Sequence, residues 1–182
     1  MWSNEENTYK PWKKYNWSDK FKNEFNSLIK NIKEQKILTK KEIDILEQTY
    51  PYFDKYLDSN EFVLIHNDLH FDNIFINNKK IKIIDFERSI YAPKDFELDI
   101  IYRMIRKPWK YASEETEEYT DTNQYSNVMS YIKKYYPELI NTKNLYKRLA
   151  IYDMIYYLRQ LTKYKTEEEL KESVLDAARK II

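Results

Sequence analysis

The sequence of 182 residues contains no glycine. Phosphate-binding loops of the Walker type and the glycine fingerprint of dinucleotide-binding folds both need backbone that approaches a phosphate without an intervening Cβ. The chain therefore has neither kind of loop. Wherever a turn needs a positive φ angle, another residue must adopt it, and asparagine does so most readily.

Cysteine is absent as well, and so are long apolar runs. Without cysteine there are no disulfides and no thiolate metal sites, a composition that fits a reducing cytoplasm. The apolar runs are far shorter than the roughly 20 residues that cross a bilayer. Residues 1–17 lack the apolar core and cleavage site of a secretory signal. We therefore expect a soluble, cytoplasmic protein with no membrane partner.

Neither sign of charge is in excess, because 31 lysines and arginines face 30 aspartates and glutamates. The net charge of +1 argues against a nucleic-acid partner bound through a broad basic field. What the chain does contain is 42% hydrophobic residues, with 16% aromatic residues, which is ample material for a core. We expect residues 1–182 to form a single domain.

The spacing of apolar residues predicts a mainly helical chain with a small β-rich centre. Helical periodicity predicts α-helices at about 18–35, 39–50, 95–106, 121–136, 143–163 and 166–181. Short β-prone runs lie at 62–65, 75–76 and 81–84. Asn77 and Asn78 fit the turn of a hairpin between the last two runs. The predicted fold class is α+β, mainly α.

Two short segments at the ends of the β-prone runs combine carboxylates, amides and both histidines of the chain. The first is His-Asn-Asp-Leu-His-Phe-Asp-Asn at 66–73, and the second is Ile-Asp-Phe-Glu at 84–87. Rigid scaffolds present catalytic groups on the loops that follow their strands. We therefore expect the two segments to meet at one end of the hairpin and to form the functional site.

The residue types and spacing in these segments fit phosphoryl transfer. That reaction needs a carboxylate to orient or deprotonate the attacking hydroxyl, and oxygen ligands from separate segments to hold Mg²⁺ on the nucleotide phosphates. Asp68 suits the first role. Asn73 stands five residues after Asp68, and Asp85 follows a β-prone run, which is how kinases place their two metal ligands.

Both segments resemble the catalytic and metal-binding loops of the aminoglycoside phosphotransferase and choline kinase superfamily. Its members often have His-Gly-Asp-Leu-His-x-x-Asn and Ile-Asp-Trp/Phe-Glu/Gly at the positions of 66–73 and 84–87. The resemblance implies a kinase-like C-terminal lobe in which a small β-hairpin carries both loops. It also implies ATP and Mg²⁺ as cofactors, and a small, cationic molecule that accepts the γ-phosphate on a hydroxyl.

The resemblance assigns roles to single residues. Carried over residue by residue, it makes Asp68 the catalytic base, and Asn73 and Asp85 the Mg²⁺ ligands. It also implies that Asp95 and Asp99 occupy the segment that supports the catalytic loop. Further candidates for supporting roles are His66, His70 and Glu87.

The chain departs from the family pattern in sequence and in extent. Asn67 stands where glycine is common, and Asp72 stands where a small residue or proline is common. Only two predicted helices precede His66, where family members carry a β-rich N-terminal lobe. We therefore expect the nucleotide-binding lobe to be absent, and the chain to be a catalytic lobe that is inactive alone.

Two other classes of function stay open at this point. One is a non-catalytic binding module that recognises a small molecule or a separately encoded N-terminal lobe. An exposed apolar surface, and self-association through it, would favour this class. The other is a metal-dependent hydrolase: if residues 66–70 were extended, His66, Asp68 and His70 would share one face and bind zinc or manganese with Asp85. We instead expect the ring nitrogens of His66 to hold loop backbone.

An acidic and aromatic segment follows the predicted helix at 95–106. It contains Glu114, Glu115, Glu117, Glu118 and Asp121, with Trp109, Tyr111, Tyr119 and Tyr125 nearby. Carboxylates and aromatic faces are the groups that bind a cationic acceptor. A solvated loop with some core aromatic residues explains the same composition.

Overall fold

The computed structural model describes residues 16–59, 61–112, 115–165 and 167–182. Its α-helices are α1 (Trp17–Glu34), α2 (Lys40–Glu47), α3 (Tyr52–Leu57), α4 (Leu98–Arg106), α5 (Val128–Tyr135), α6 (Pro137–Ile140), α7 (Leu145–Lys163) and α8 (Glu168–Ile181). Its strands are β1 (Val63–Ile65), β2 (Ile74–Asn77), β3 (Lys80–Ile83) and β4 (Ile90–Ala92). Short 3₁₀ turns include Phe71–Asn73, Phe86–Arg88 and Lys94–Glu97.

The strands form two antiparallel pairs, β1 with β4 and β2 with β3. The fold is thus mostly helical with small antiparallel sheets, as the α+β prediction states. The β2–β3 hairpin was expected to turn at Asn77 and Asn78, but Asn77 pairs with Lys80 and the turn lies one residue later. Asn78 and Lys79 adopt the positive φ angles, 47° and 63°, that a two-residue hairpin turn requires.

The predicted helix at 121–136 is wrong as a single element. The carboxylate of Asp121 accepts hydrogen bonds from the backbone N–H groups of Asn123 and Gln124, and it caps a 3₁₀ turn rather than an α-helix. The α5 helix begins only at Val128 and ends before Pro137, whose ring cannot continue it. At the predicted start of the last helix, Thr166 lies outside the described residues.

The α7 helix is the centre of the helical core. It packs against α8, α1, α3 and α4, and side chains such as Leu149 and Met154 are fully buried. The apolar face predicted for α1 is buried as well, including Phe21, Phe25 and Ile32. Among the described helices, none combines the length and the apolar character needed to span a bilayer.

A buried polar network joins α1, α3 and α7 to the turn before α4. The guanidinium of Arg148 donates two hydrogen bonds to the carboxylate of Asp95, at 2.7 and 2.9 Å, and one to the Tyr56 carbonyl at 2.7 Å. The hydroxyl of Tyr152 donates to Asp95 at 2.9 Å and accepts from Trp17 Nε1 at 3.1 Å. Burial and the Asp95 charge raise the pKa of Tyr152, so its hydroxyl stays a donor. Bidentate geometry and full hydrogen bonding make this a strong contact.

We predict that Arg148→Met destabilises the fold by about 3–5 kcal/mol, because it leaves the Asp95 carboxylate buried without its counter-ion. Urea unfolding followed by circular dichroism measures the change. The matched control is Arg159→Met, which removes a partly exposed pair with Glu24 and is expected to cost less than about 1 kcal/mol. Equal losses in the two variants would contradict the prediction.

Candidate active site

The segment that follows β1 is a compact loop rather than a continuation of the strand. Asn67 adopts a left-handed conformation with φ of 64°, which turns the chain directly after His66. The His70 N–H then donates to the Asp68 carbonyl at 2.9 Å, and the Asn73 N–H to the His70 carbonyl at 3.0 Å. The loop therefore places Asp68 at its bend and Asn73 at the start of β2.

The carboxylate of Glu97 holds the entry to this loop. It accepts hydrogen bonds from the backbone N–H groups of His66, at 2.6 Å, and of Asn67, at 3.1 Å. Burial raises the pKa of Glu97, although both N–H groups favour its ionised form. Two orphan donors of the loop are thus satisfied by one side chain.

Two further contacts join this loop to the segment after β3. The ring of His66 contacts the Ile84 carbonyl through Nε2, at 2.7 Å, and the Ile84 N–H donates to the Asn73 carbonyl at 3.1 Å. The amide of Asn67 donates to the Arg88 carbonyl at 3.1 Å. The ring nitrogens of His66 were expected to hold loop backbone; Nε2 does so, whereas Nδ1 is buried without a hydrogen-bond partner among the described residues. Residues 66–73 and 84–88 therefore form one unit.

The two predicted metal ligands lie on the two loops that these contacts join. Asn73 is buried, and its amide nitrogen donates to the Asp68 carbonyl at 2.9 Å and lies 3.2 Å from His70 Nε2. Within the described residues, Oδ1 of Asn73 accepts no hydrogen bond. Asp85 is exposed and left-handed, with φ of 62°, and strained non-glycine residues of this kind gather at functional sites. Two oxygen donors are therefore available at the junction of the loops, as a hard cation requires.

Asp68 has a charged neighbour that the sequence motif does not mark. Arg88 Nε lies 3.6 Å from the Asp68 carboxylate, whose side chain is 21% exposed. The Arg88 carbonyl is the group that receives the hydrogen bond from Asn67. The second loop thus delivers a cation beside the predicted base as well as a predicted metal ligand. In the sequence, the one indication that Arg88 belongs to the site is its position directly after residues 84–87.

The carboxylates predicted to support the loop make other contacts. Asp95 pairs with Arg148 in the core, and Asp99 pairs with Arg103 one turn along α4. The residue that contacts the loop is Glu97, between them, which the sequence analysis missed. Of the other supporting candidates, His70 contacts Asn73 and lies 3.6 Å from the Asp72 carboxylate, and Glu87 is exposed in the 3₁₀ turn after Asp85.

The hydrolase alternative is wrong in its geometry. It requires residues 66–70 to be extended, but the left-handed Asn67 breaks the extension. Among the described residues, no three histidine, aspartate or glutamate side chains lie close enough together to hold one metal ion. His66, Asp68, His70 and Asp85 therefore do not form the proposed ligand set.

Part of the acidic segment lies beside the first loop. The ring of Tyr125 stacks on Phe71, with centroids 5.7 Å apart. Glu117 and Glu118 are exposed in a 3₁₀ turn that precedes Tyr125. Glu114 lies outside the described residues. The aromatic contact therefore places Tyr125, which follows the acidic residues in the sequence, beside the candidate site.

Comparison with known proteins gives one match. A model of the phosphotransferase enzyme family matches residues 10–122, more than half of the chain and a range that contains both loops. No curated protein and no solved structure gives a match.

We predict that Glu97→Ala destabilises the fold by about 1–3 kcal/mol, because it leaves two buried N–H groups without an acceptor. The local signature is faster amide hydrogen exchange at His66 and Asn67, measured by NMR. Lys94→Ala, in the same 3₁₀ turn, is the control and leaves both rates unchanged. Unchanged exchange in the Glu97 variant would show that the carboxylate does not hold the loop.

Proposed function

The chain belongs to the phosphotransferase enzyme family, and on that premise we propose that it supplies the catalytic and metal-binding loops of an ATP-dependent phosphotransferase. The observation that carries the proposal is the joining of 66–73 to 84–88 by one backbone–backbone and two side-chain–backbone hydrogen bonds. This arrangement brings the loops of Asp68, Asn73 and Asp85 together. In this proposal they form part of a kinase-like C-terminal lobe.

Asp68 is proposed as the catalytic base. Its carboxylate is partly exposed, so a substrate hydroxyl can reach it, and it accepts the proton as the hydroxyl attacks phosphorus. The guanidinium of Arg88 places a positive charge 3.6 Å from this carboxylate. The loop hydrogen bonds, together with Glu97, hold Asp68 in place without using its side chain.

Asn73 and Asp85 are proposed as the residues that hold Mg²⁺. The donor set fits this ion, because Mg²⁺ prefers oxygen ligands and takes one or two from the protein while nucleotide phosphates and water supply the rest. When bound, the ion neutralises charge on the transferred phosphoryl group. Donation from Nδ2 to the Asp68 carbonyl orients the Asn73 amide, so that its Oδ1 is the atom left for a cation.

The proposed acceptor is a small, cationic molecule with a hydroxyl group. The support for this is the Phe71–Tyr125 stack, which places an aromatic ring beside the loop of Asp68, and the acidic residues that precede Tyr125 in the sequence. Carboxylates of Glu117 and Glu118 attract an amine at long range, and aromatic faces bind cations through their π electrons.

The β2–β3 hairpin favours a second candidate, a non-catalytic binding module. Ile74, Ile76, Ile81 and Ile83 lie on one face of this hairpin, because Ile74 pairs with Ile83 and Ile76 with Ile81. On this isoleucine face, Ile76 is 73% exposed and Ile81 is 69% exposed. An uncovered apolar face on an isolated hairpin is typical of a surface that a partner covers.

We predict that the chain binds Mg²⁺-ATP in calorimetric titrations and that Asp85→Asn weakens this binding at least about tenfold, since it removes a charged Mg²⁺ ligand. Asp72→Asn is the control, because it removes the same charge from an exposed position in the other loop. Asp68→Asn is expected to keep nucleotide affinity in this titration. In a kinetic assay with a partner lobe supplied, it is expected to lower phosphate transfer to choline or an amino sugar by about 10²–10⁴-fold.

Equal nucleotide binding by the Asp85 variant and the wild type would contradict the proposed metal site. Full transfer activity in the Asp68 variant would contradict the proposed base. A folded wild-type chain that binds no nucleotide would count against the catalytic proposal and favour the binding module.

We predict that the chain self-associates through the isoleucine face when no partner lobe is present. Association would remove the apolar surface of these side chains from contact with water, which is favourable. Sedimentation velocity tests this. The double variant Ile76→Lys, Ile81→Lys is expected to be monomeric. Asn77→Lys, which adds a charge to the opposite face of the hairpin, is expected to associate like the wild type. A wild-type chain that stays monomeric at all concentrations would contradict the prediction.

A further inference from the structure

A cleft of about 180 Å³ lies between the end of α4 and the helices α7 and α8. Three cations and several tyrosines line it, among them Arg103, Lys107, Lys110, Tyr111, Tyr156 and Tyr157. None of its lining residues belongs to 66–73 or 84–88. The cleft is therefore a separate feature from the candidate active site.

Arg103 is the most deeply buried of the three basic residues that line this cleft. Its side chain is only 7% exposed, and the centre of its guanidinium lies 3.9 Å from the middle of the Tyr156 ring. One terminal nitrogen bonds to Asp99, and Nε donates to the Tyr111 hydroxyl at 3.2 Å. In the described part of the chain, no group accepts a hydrogen bond from the other terminal nitrogen. A buried guanidinium thus keeps a donor for a ligand.

The ammonium groups of Lys107 and Lys110 together bind one carboxylate at the edge of the cleft. Both ammonium groups donate to the Glu169 carboxylate of α8, each at 2.8 Å. These hydrogen bonds lower the pKa of Glu169 to about 2, and their geometry shows that two ammonium groups converge on one carboxylate. The Glu169 side chain is half exposed, so an ion pair here is weak enough to be replaced.

The tyrosines add flat apolar walls to this charged cleft. The guanidinium of Arg103 lies over the ring of Tyr156, and the Lys107 ammonium lies 5.1 Å from the centre of the Tyr157 ring. Aromatic rings stack with other rings in offset or edge-on geometry. A ligand that combines a ring with an anionic group would use the walls and the cations at the same time.

We propose that this cleft binds a small aromatic anion, with its ring against the tyrosines and its carboxylate or phosphate between Lys107 and Lys110 in place of Glu169. The free nitrogen of Arg103 supplies a further donor. In this arrangement the chain's own Glu169 competes with the ligand. Removal of that carboxylate therefore strengthens binding, whereas a purely structural cluster would only be weakened by it.

The test is calorimetric titration of the whole chain with phenyl phosphate, benzoate and inorganic phosphate. EDTA is present so that no metal-dependent nucleotide site contributes. We expect phenyl phosphate to bind more tightly than inorganic phosphate, because only the former has a ring. Benzoate then shows whether a carboxylate serves as well as a phosphate. Equal affinity for phenyl phosphate and inorganic phosphate would overturn the aromatic part of the proposal.

Three variants complete the test. Glu169→Gln is expected to tighten phenyl phosphate binding several-fold, and Lys110→Gln to weaken it by a similar factor. Lys171→Gln is the control, because this lysine pairs with Glu168 on α8 and does not line the cleft. Thermal unfolding verifies that each variant is folded. An absence of binding in both wild type and Glu169→Gln, or no gain in the latter, would overturn the proposal.

Discussion

One buried ion pair, between Arg148 and Asp95, supports both the helical core and the candidate site. It ties α7 to the end of α3 and to the 3₁₀ turn before α4. Glu97 lies in that same turn, two residues after Asp95. Because the ion pair holds the turn, it also determines where the Glu97 carboxylate meets the backbone of the first loop. Core packing and site geometry therefore depend on one contact.

The site itself is held largely by backbone atoms. Backbone atoms of Asn73, Ile84 and Arg88 make the hydrogen bonds that join the two loops, together with the side chains of His66 and Asn67. None of these hydrogen bonds uses the carboxylates of Asp68 and Asp85, although Asp68 lies 3.6 Å from Arg88 Nε of the second loop. An arrangement in which some groups fix the loops and others supply charge suits phosphoryl transfer, because positioning and charge provide most of the catalysis in that reaction.

Features that arise from neighbours in the sequence could be predicted, and those that arise from distant contacts could not. The apolar face of α1 and the existence of the hairpin follow from local periodicity, and the loop motif led correctly to the family. The choice of Glu97 over Asp95 and Asp99 depends on how the 3₁₀ turn passes into α4, which no local pattern encodes. Strand β4 has three residues, too few for a periodic signal. Arg88 becomes a neighbour of Asp68 only when the loops meet.

Left-handed backbone at Asn67, Asn78, Lys79 and Asp85 has a consequence for how this region opens. In a chain without glycine, each such residue stores about 1–2 kcal/mol of strain, which the surrounding contacts must hold in place. Local opening of the loops releases that strain, so its free-energy cost is lower than that of separating α7 from its neighbours. The segment between β1 and β4 should therefore exchange its amides in a cooperative unit of its own, well below global unfolding in free energy. The residues proposed to carry the chemistry thus lie in the part of the β-rich centre that opens at the lowest free-energy cost.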